Sequence, residues 1–139
     1  MSARKSLVVA IAAAIAMLPA TALAQEPGRV IVSTWHAAPG QQVALLKWLA
    51  DQDRAAAAAG VAKSQIYAHT EGAEWDYLVI QPETTPAQDA AVEAAGKKLG
   101  IDTGPHSALD FRKYIATHTD TIARGPMTAA EYLAYVGEK

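Results

Sequence analysis

Residues 65–81 read Gln-Ile-Tyr-Ala-His-Thr-Glu-Gly-Ala-Glu-Trp-Asp-Tyr-Leu-Val-Ile-Gln, two β-rich runs separated by a short polar stretch containing glycine. β-Branched and aromatic residues on both sides of Glu71-Gly72-Ala73-Glu74 predict a hairpin, with strands over Ala62 to Thr70 and Trp75 to Gln81. Pro82 ends the second strand. Upstream, Arg29 to His36 is another β-rich run, stopped by Pro39-Gly40. Val43, Leu46 and Ala50, with Leu45 and Leu49 beside them, then recur at helical spacing from about Gln41. The alanine run 55–59 extends that helix to Gly60. Downstream, Thr85, Pro86 and Gln88 form the signature of a capped helix start, and the helix runs through Val92 and Leu99 to Gly100.

The order is therefore β-α-β-β-α, the core of a ferredoxin-like α+β domain. Two readings compete for the segment that follows. Ala108, Phe111, Ile115, His118 and Ile122 lie at helical spacing, and Ser107 with Asp110 would make a capping box. Tyr114 to Thr119 is also β-branched enough for a strand. The helical reading is favoured, giving a C-terminal helical extension. A last helix is expected from Ala129, capped by Thr128 with Glu131 three residues on.

The first 24 residues carry a different message. Arg4 and Lys5 precede an apolar run of 12 residues, Leu7 to Leu18, and Ala22-Leu23-Ala24 offers a cleavage site. That is the layout of a signal peptide, with an apolar run well short of the roughly 20 residues that span a bilayer. The expectation is a leader over residues 1–24 and a single α+β domain over 25–139, periplasmic or secreted, with no stable membrane insertion after cleavage. Of 12 basic and 14 acidic side chains, the leader removes two basic ones and leaves a formal charge of −4. An acidic surface without a basic stripe argues against nucleic acid as a partner. The absence of cysteine removes disulfides, thiolate metal sites and a Cys nucleophile together.

Alternation along a strand sorts side chains into faces. Ile66, Ala68, Leu78 and Ile80 are expected under the helices. Gln65, Tyr67 and His69 with Trp75, Tyr77, Val79 and Gln81 are expected on the other side, joined by Val32, Thr34 and His36. That second face, aromatic and aliphatic with scattered polar groups, has the composition of a ligand-cavity lining. Left open, it would expose a large apolar patch, and pairing with a second copy would cover it.

These features resemble the dimeric α/β-barrel superfamily. The resemblance covers roughly residues 29–100 and is carried by Val30 to His36, by Pro39-Gly40, and by Glu71-Gly72-Ala73-Glu74-Trp75-Asp76-Tyr77. It implies ferredoxin-like subunits whose sheets pair face to face as a homodimer. The superfamily includes cofactor-free oxygenases, polyketide cyclases, lactone isomerases, haem-handling enzymes and proteins with no known activity, so fold alone does not fix function. The tail from Ser107 departs from the simple pattern, with no fourth strand evident.

Four histidines follow the leader: His36, His69, His106 and His118. None stands at helical-pair spacing, and in a ferredoxin-like order His36 and His69 are expected far apart, at opposite edges of the sheet, so no metal site is assigned. Imidazole is the natural group for moving protons near neutral pH. His69, Tyr67, His36 and His118 are accordingly the candidate catalytic residues, and Trp75, Tyr77, Thr34 and Gln65 the candidate substrate contacts. Asp76 could fix a tautomer, although its alternation points it toward the helices. No glycine-rich phosphate loop or Ser-centred nucleophile elbow is present. The resulting expectation is a cofactor-independent lyase, isomerase or cyclase acting on a small, apolar, aromatic compound. A non-catalytic ligand-binding or stress-related module and a haem-binding protein are the alternatives.

Overall fold

The structure, a computed structural model, describes residues 28–72 and 74–138. The expected leader lies outside these residues. The element order is β1 (Gly28–Ala37), α1 (Gln42–Ala58), β2 (Gln65–Ala68), β3 (Tyr77–Pro82), α2 (Pro86–Leu99), α3 (Pro105–Tyr114), β4 (Ile115–Gly125) and α4 (Ala129–Tyr135). The four strands make one antiparallel sheet in the order β2-β3-β1-β4. This α+β arrangement is consistent with a ferredoxin-like fold. Among the described residues, no helix is long and apolar enough to cross a membrane.

Local chemistry explains most of the boundaries. At the start of α2, the Thr85 hydroxyl accepts from the Gln88 backbone N–H while the Gln88 side chain accepts from the Thr85 N–H. Each satisfies a donor that a helix N-terminus leaves without an intrahelical partner. Thr128 and Glu131 repeat the device at α4. The Thr128 backbone and hydroxyl donors hold the Glu131 carboxyl below its usual range. Gly100 closes α2 with φ +69°, a conformation that glycine adopts without strain. β2 is shorter than the hairpin suggests, because Asp53 accepts from the Ser64 N–H at 2.9 Å and ties that approach to α1.

The segment after Gly100 corrects the sequence reading. The helix is real only as far as Tyr114; from Ile115 the chain forms β4, the fourth strand. Spacing of Phe111, Ile115, His118 and Ile122 imitates a helix, but Ile115, Thr117, Thr119 and Thr121 also alternate as a strand requires. Pairing along β1, from Gly28↔Gly125 to Ala37↔Ile115, decides the matter. It satisfies an edge that would otherwise stand open for the whole of β1. The expected Ser107 cap is also absent. α3 instead starts at Gly104 with Pro105 in its first turn, and the Ser107 hydroxyl accepts from Trp48 Nε1 at 3.0 Å.

Cross-strand partners share a face of the sheet, and burial identifies which face carries the helices. Trp35, Ala37 and Val79 are buried against Leu45 and Leu49 of α1, and Ser33 is buried on the same side. Phe111 of α3 meets the Trp35 ring edge-on with centroids 5.1 Å apart, and Trp48 lies 5.1 Å from the same phenyl ring. This three-ring cluster anchors α1 and α3 to the centre of the sheet. α4 stands apart: Tyr132, Leu133, Tyr135 and Val136 are each about half exposed. The Arg124 guanidinium lies 5.3 Å from the centroid of the Tyr135 ring.

Removing Phe111 would leave Trp35 and Trp48 facing a void. Phe111→Ala is expected to lower unfolding stability by about 3–5 kcal/mol, the usual cost of an aromatic-to-alanine truncation in a packed core. Leu109→Ala, at a residue 55% exposed on the same helix, is expected to change it by less than about 1 kcal/mol. Urea denaturation of both variants measures the difference.

Candidate functional site

The hairpin register puts residues on different faces from those expected. β2 pairs with β3 as Ile66↔Val79, Tyr67↔Leu78 and Ala68↔Tyr77. Odd-numbered residues of β2 therefore oppose even-numbered residues of β3. β1 pairs with β3 as Val32↔Ile80, Ser33↔Val79 and Thr34↔Leu78, even with even. The face without helices thus carries Val30, Val32, Thr34, Gln65, Tyr67, Leu78 and Ile80, with Thr119 and Thr121 from β4.

Leu78 and Ile80, expected beneath the helices, belong to the open face. Tyr77, Val79 and Gln81, expected on the open face, turn toward the helices. Tyr77 is half-buried against the core, and burial first, then the neighbouring Asp76 charge, pushes its hydroxyl above the ordinary tyrosine pKa. It is a packing residue rather than the substrate contact expected of it.

At one end of the open face the rows become chemical. Beyond the β2 strand, His69 N–H donates to the Asp76 carbonyl at 2.8 Å, and Asp76 N–H donates to the Trp35 carbonyl at 2.8 Å. These bonds carry the ladder one step further and place Asp76 between His69 and His36. On its other side His36 pairs with Thr117. The row reads His69, Asp76, His36, Thr117 across four adjacent strands or their extensions.

Together with Glu74 and Trp75, these four side chains line a cavity of about 470 Å³. The expectation that His36 and His69 are remote fails for a simple reason. β3 alone separates their strands, two spacings of about 4.8 Å each. The alternation that points Asp76 toward the helices fails for a different reason, the hairpin register, which puts even-numbered residues of β3 on the open face.

Asp76 organises the row. Its Oδ2 accepts from the Ala37 N–H at 2.6 Å and lies 3.4 Å from His36 Nδ1. Ala37 is where the β1–β4 register shifts, so the carboxylate takes a donor at an irregular point of the ladder. A carboxylate beside Nδ1 favours the tautomer protonated there and leaves Nε2 as the basic atom. The His36 side chain is half exposed. His69 differs: its ring stacks at 4.8 Å and 47° on Trp75, and its Nε2 is buried with no hydrogen-bond partner among the described residues.

One row further along, Tyr67 opposes Leu78, then Thr34, then Thr119, with the Thr34 and Thr119 hydroxyls 2.6 Å apart. Gln65 opposes Ile80 in the row after that. Five of the eight residues singled out in the sequence, His36, His69, Tyr67, Thr34 and Gln65, therefore share the open face. Trp75 joins them from the hairpin connection.

His118 does not. It pairs with Trp35 on the helix-bearing side, touches Phe111 with ring centroids 5.4 Å apart, and has its Nδ1 3.1 Å from Asp120. Asp120 in turn accepts from the buried Ser33 hydroxyl at 2.6 Å. Serine there donates to aspartate rather than to histidine, so no activated nucleophile results.

Among the described residues, no three His, Asp or Glu side chains converge in a manner that could hold a metal ion. Glu74 and Thr117 are the site residues that sequence reasoning missed, and Asp76 is the one it named for this role but placed on the wrong face. The signal for Asp76 lay in the hairpin itself, since the connection 70–75 has an even number of residues.

Searches with the sequence find no matching family and no matching curated protein. Among solved structures the chain is similar to PA3566 from Pseudomonas aeruginosa, at 17% identity over 74% of this chain and 97% of that one, with a TM-score of 0.45.

Proposed function

We propose that this protein is an exported, cofactor-independent enzyme of the lyase, isomerase or cyclase type, built as a dimeric α/β barrel, that moves a proton on a small aromatic compound. The observation carrying this reading is the His69–Asp76–His36 row at the mouth of one cavity. His36 is the base: Asp76 sits at its Nδ1, so Nε2 can take a proton from a carbon beside a carbonyl. The resulting imidazolium is stabilised by the same carboxylate and returns the proton at a different position, so no cofactor enters the balance. Tyr67, one row away, supplies a hydroxyl donor for the oxyanion that develops on the carbonyl. Trp75, with the tilted His69 ring packed against it, offers an aromatic wall against which a planar substrate packs.

The open face supports the dimer. Its central rows hold Val32, Leu78 and Ile80 with hydroxyl and amide neighbours, and no Lys, Arg, Asp or Glu. Tyr67 is 55% exposed there. Two such faces packed about 10 Å apart would bury one another as sheets in a sandwich do.

Two experiments test the proposal. Wild-type protein is expected to speed exchange of the methyl protons of para-hydroxyacetophenone into deuterated water, followed by NMR, and to do so in the presence of a chelator. His36→Gln should slow this exchange by about 10²–10⁴-fold, with the melting temperature shifted by only a few degrees. Exchange no faster than in an equal concentration of free imidazole would reject the catalytic reading.

For the dimer, Leu78→Glu should bury an unpaired charge at a cost of about 3–5 kcal/mol and give monomers in sedimentation velocity. A wild-type protein that sediments as a monomer at micromolar concentration rejects the paired-sheet arrangement.

A further inference from the structure

The cavity that holds the histidine row has a charge pattern that says more about its ligand than the aromatic wall does. Among the described residues, six side chains line it: His36, His69, Glu74, Trp75, Asp76 and Thr117. Two are carboxylates, and no Lys or Arg is among them. Asp76 meets a backbone N–H and a histidine nitrogen, neither of which is a fixed cation. Glu74 is exposed at the rim of the hairpin connection.

The cations with assigned ion pairs are spent elsewhere: Arg29 on Glu83, Arg54 on Asp51, Lys97 on Glu93 and Lys113 on Asp110. With its imidazoles neutral, the cavity carries a formal charge of −2 beside an apolar aromatic surface. A ligand carboxylate in the same cavity would meet two like charges, a repulsion that the partial exclusion of water strengthens.

Resting on the acid–base reading of this cavity, we infer that it selects by charge: it takes neutral or cationic aromatic compounds and rejects aromatic carboxylates. Glu74 is the specificity-determining residue. Asp76 is committed to positioning His36 and to the Ala37 N–H, whereas Glu74 makes no hydrogen bond or ion pair among the described residues. It lines the cavity beside Trp75 and is exposed there. The same arrangement explains why the site needs no anion clamp: the substrate's reacting oxygen is a carbonyl or phenol, and its negative charge exists only while His36 holds the proton.

Three probes of nearly equal size separate the terms: para-ethylphenol, tyramine and para-hydroxyphenylacetate, which are neutral, cationic and anionic near neutral pH. Isothermal titration of the full-length protein at low ionic strength is expected to give affinities for para-ethylphenol and tyramine at least about tenfold higher than for para-hydroxyphenylacetate. Glu74→Gln should narrow the gap between the neutral and anionic probes severalfold. Glu74→Lys should close or reverse the gap. Raised salt should narrow it in the wild type, since a rim charge is screened.

Equal wild-type affinity for all three probes overturns the charge selection and leaves the aromatic pocket standing. A wild-type gap that neither Glu74 variant alters overturns the role given to Glu74. Failure of all three probes to bind overturns the aromatic pocket itself, and this inference with it.

Discussion

β1 is hydrogen-bonded along both edges, and nearly everything else in the molecule takes its place from that strand. On one side β3 fixes Trp35 opposite Tyr77; on the other, β4 runs beside it for its whole length. A strand paired on both sides cannot slip by one residue without reversing two ladders at once. Its alternation therefore commits Ser33, Trp35 and Ala37 to the helices and Val32, Thr34 and His36 to the opposite face. The aromatic cluster on one side and the histidine row on the other are two readings of the same register.

Asp76 shows how site and fold share a group. Its carboxylate satisfies the Ala37 N–H where the β1–β4 ladder is irregular, and the same oxygen faces His36. A buried amide there would otherwise lack a partner, at a cost of about 1–3 kcal/mol. The residue that orients the proposed base is thus fixed in place by a backbone requirement. His69, with its unpartnered Nε2 under the hairpin connection, has no comparable restraint beyond its stacking on Trp75.

Much of this was legible in the residues, and the exceptions have physical causes. Thr85 with Gln88 and Thr128 with Glu131 announce their helices because a cap is local: donor, acceptor and spacing all lie within four residues. β1, α1 and the hairpin strands were readable from periodicity for the same reason. β4 was not, because Ile115, His118 and Ile122 satisfy a helical period while Thr117, Thr119 and Thr121 satisfy a strand, and only the free edge of β1 chooses between them. The open face was read correctly for Thr34, His36, Gln65, Tyr67 and His69, but Tyr77 and Leu78 were exchanged. Alternation within one strand is a property of that strand; how two strands are phased depends on the length of the chain between them. Asp76 was lost with that phase; the proximity of His36 and His69 was lost separately, to the strand order, which leaves only β3 between β2 and β1.

The connection 70–75 consequently acts as a parity switch on which variation in chain length has uneven effects. Loss or gain of one residue there, with pairing restored on either side, would turn Gln65, Tyr67 and His69 inward and bring Ile66 and Ala68 out. Such a change would replace the hydroxyl and imidazole of the open face with hydrocarbon while the backbone topology stayed the same. Loss or gain of two residues would preserve the chemistry and alter only the reach of the turn. Across descendants of this chain, length changes in that turn should therefore occur in pairs wherever the histidine row is in use, and singly only where it has been abandoned.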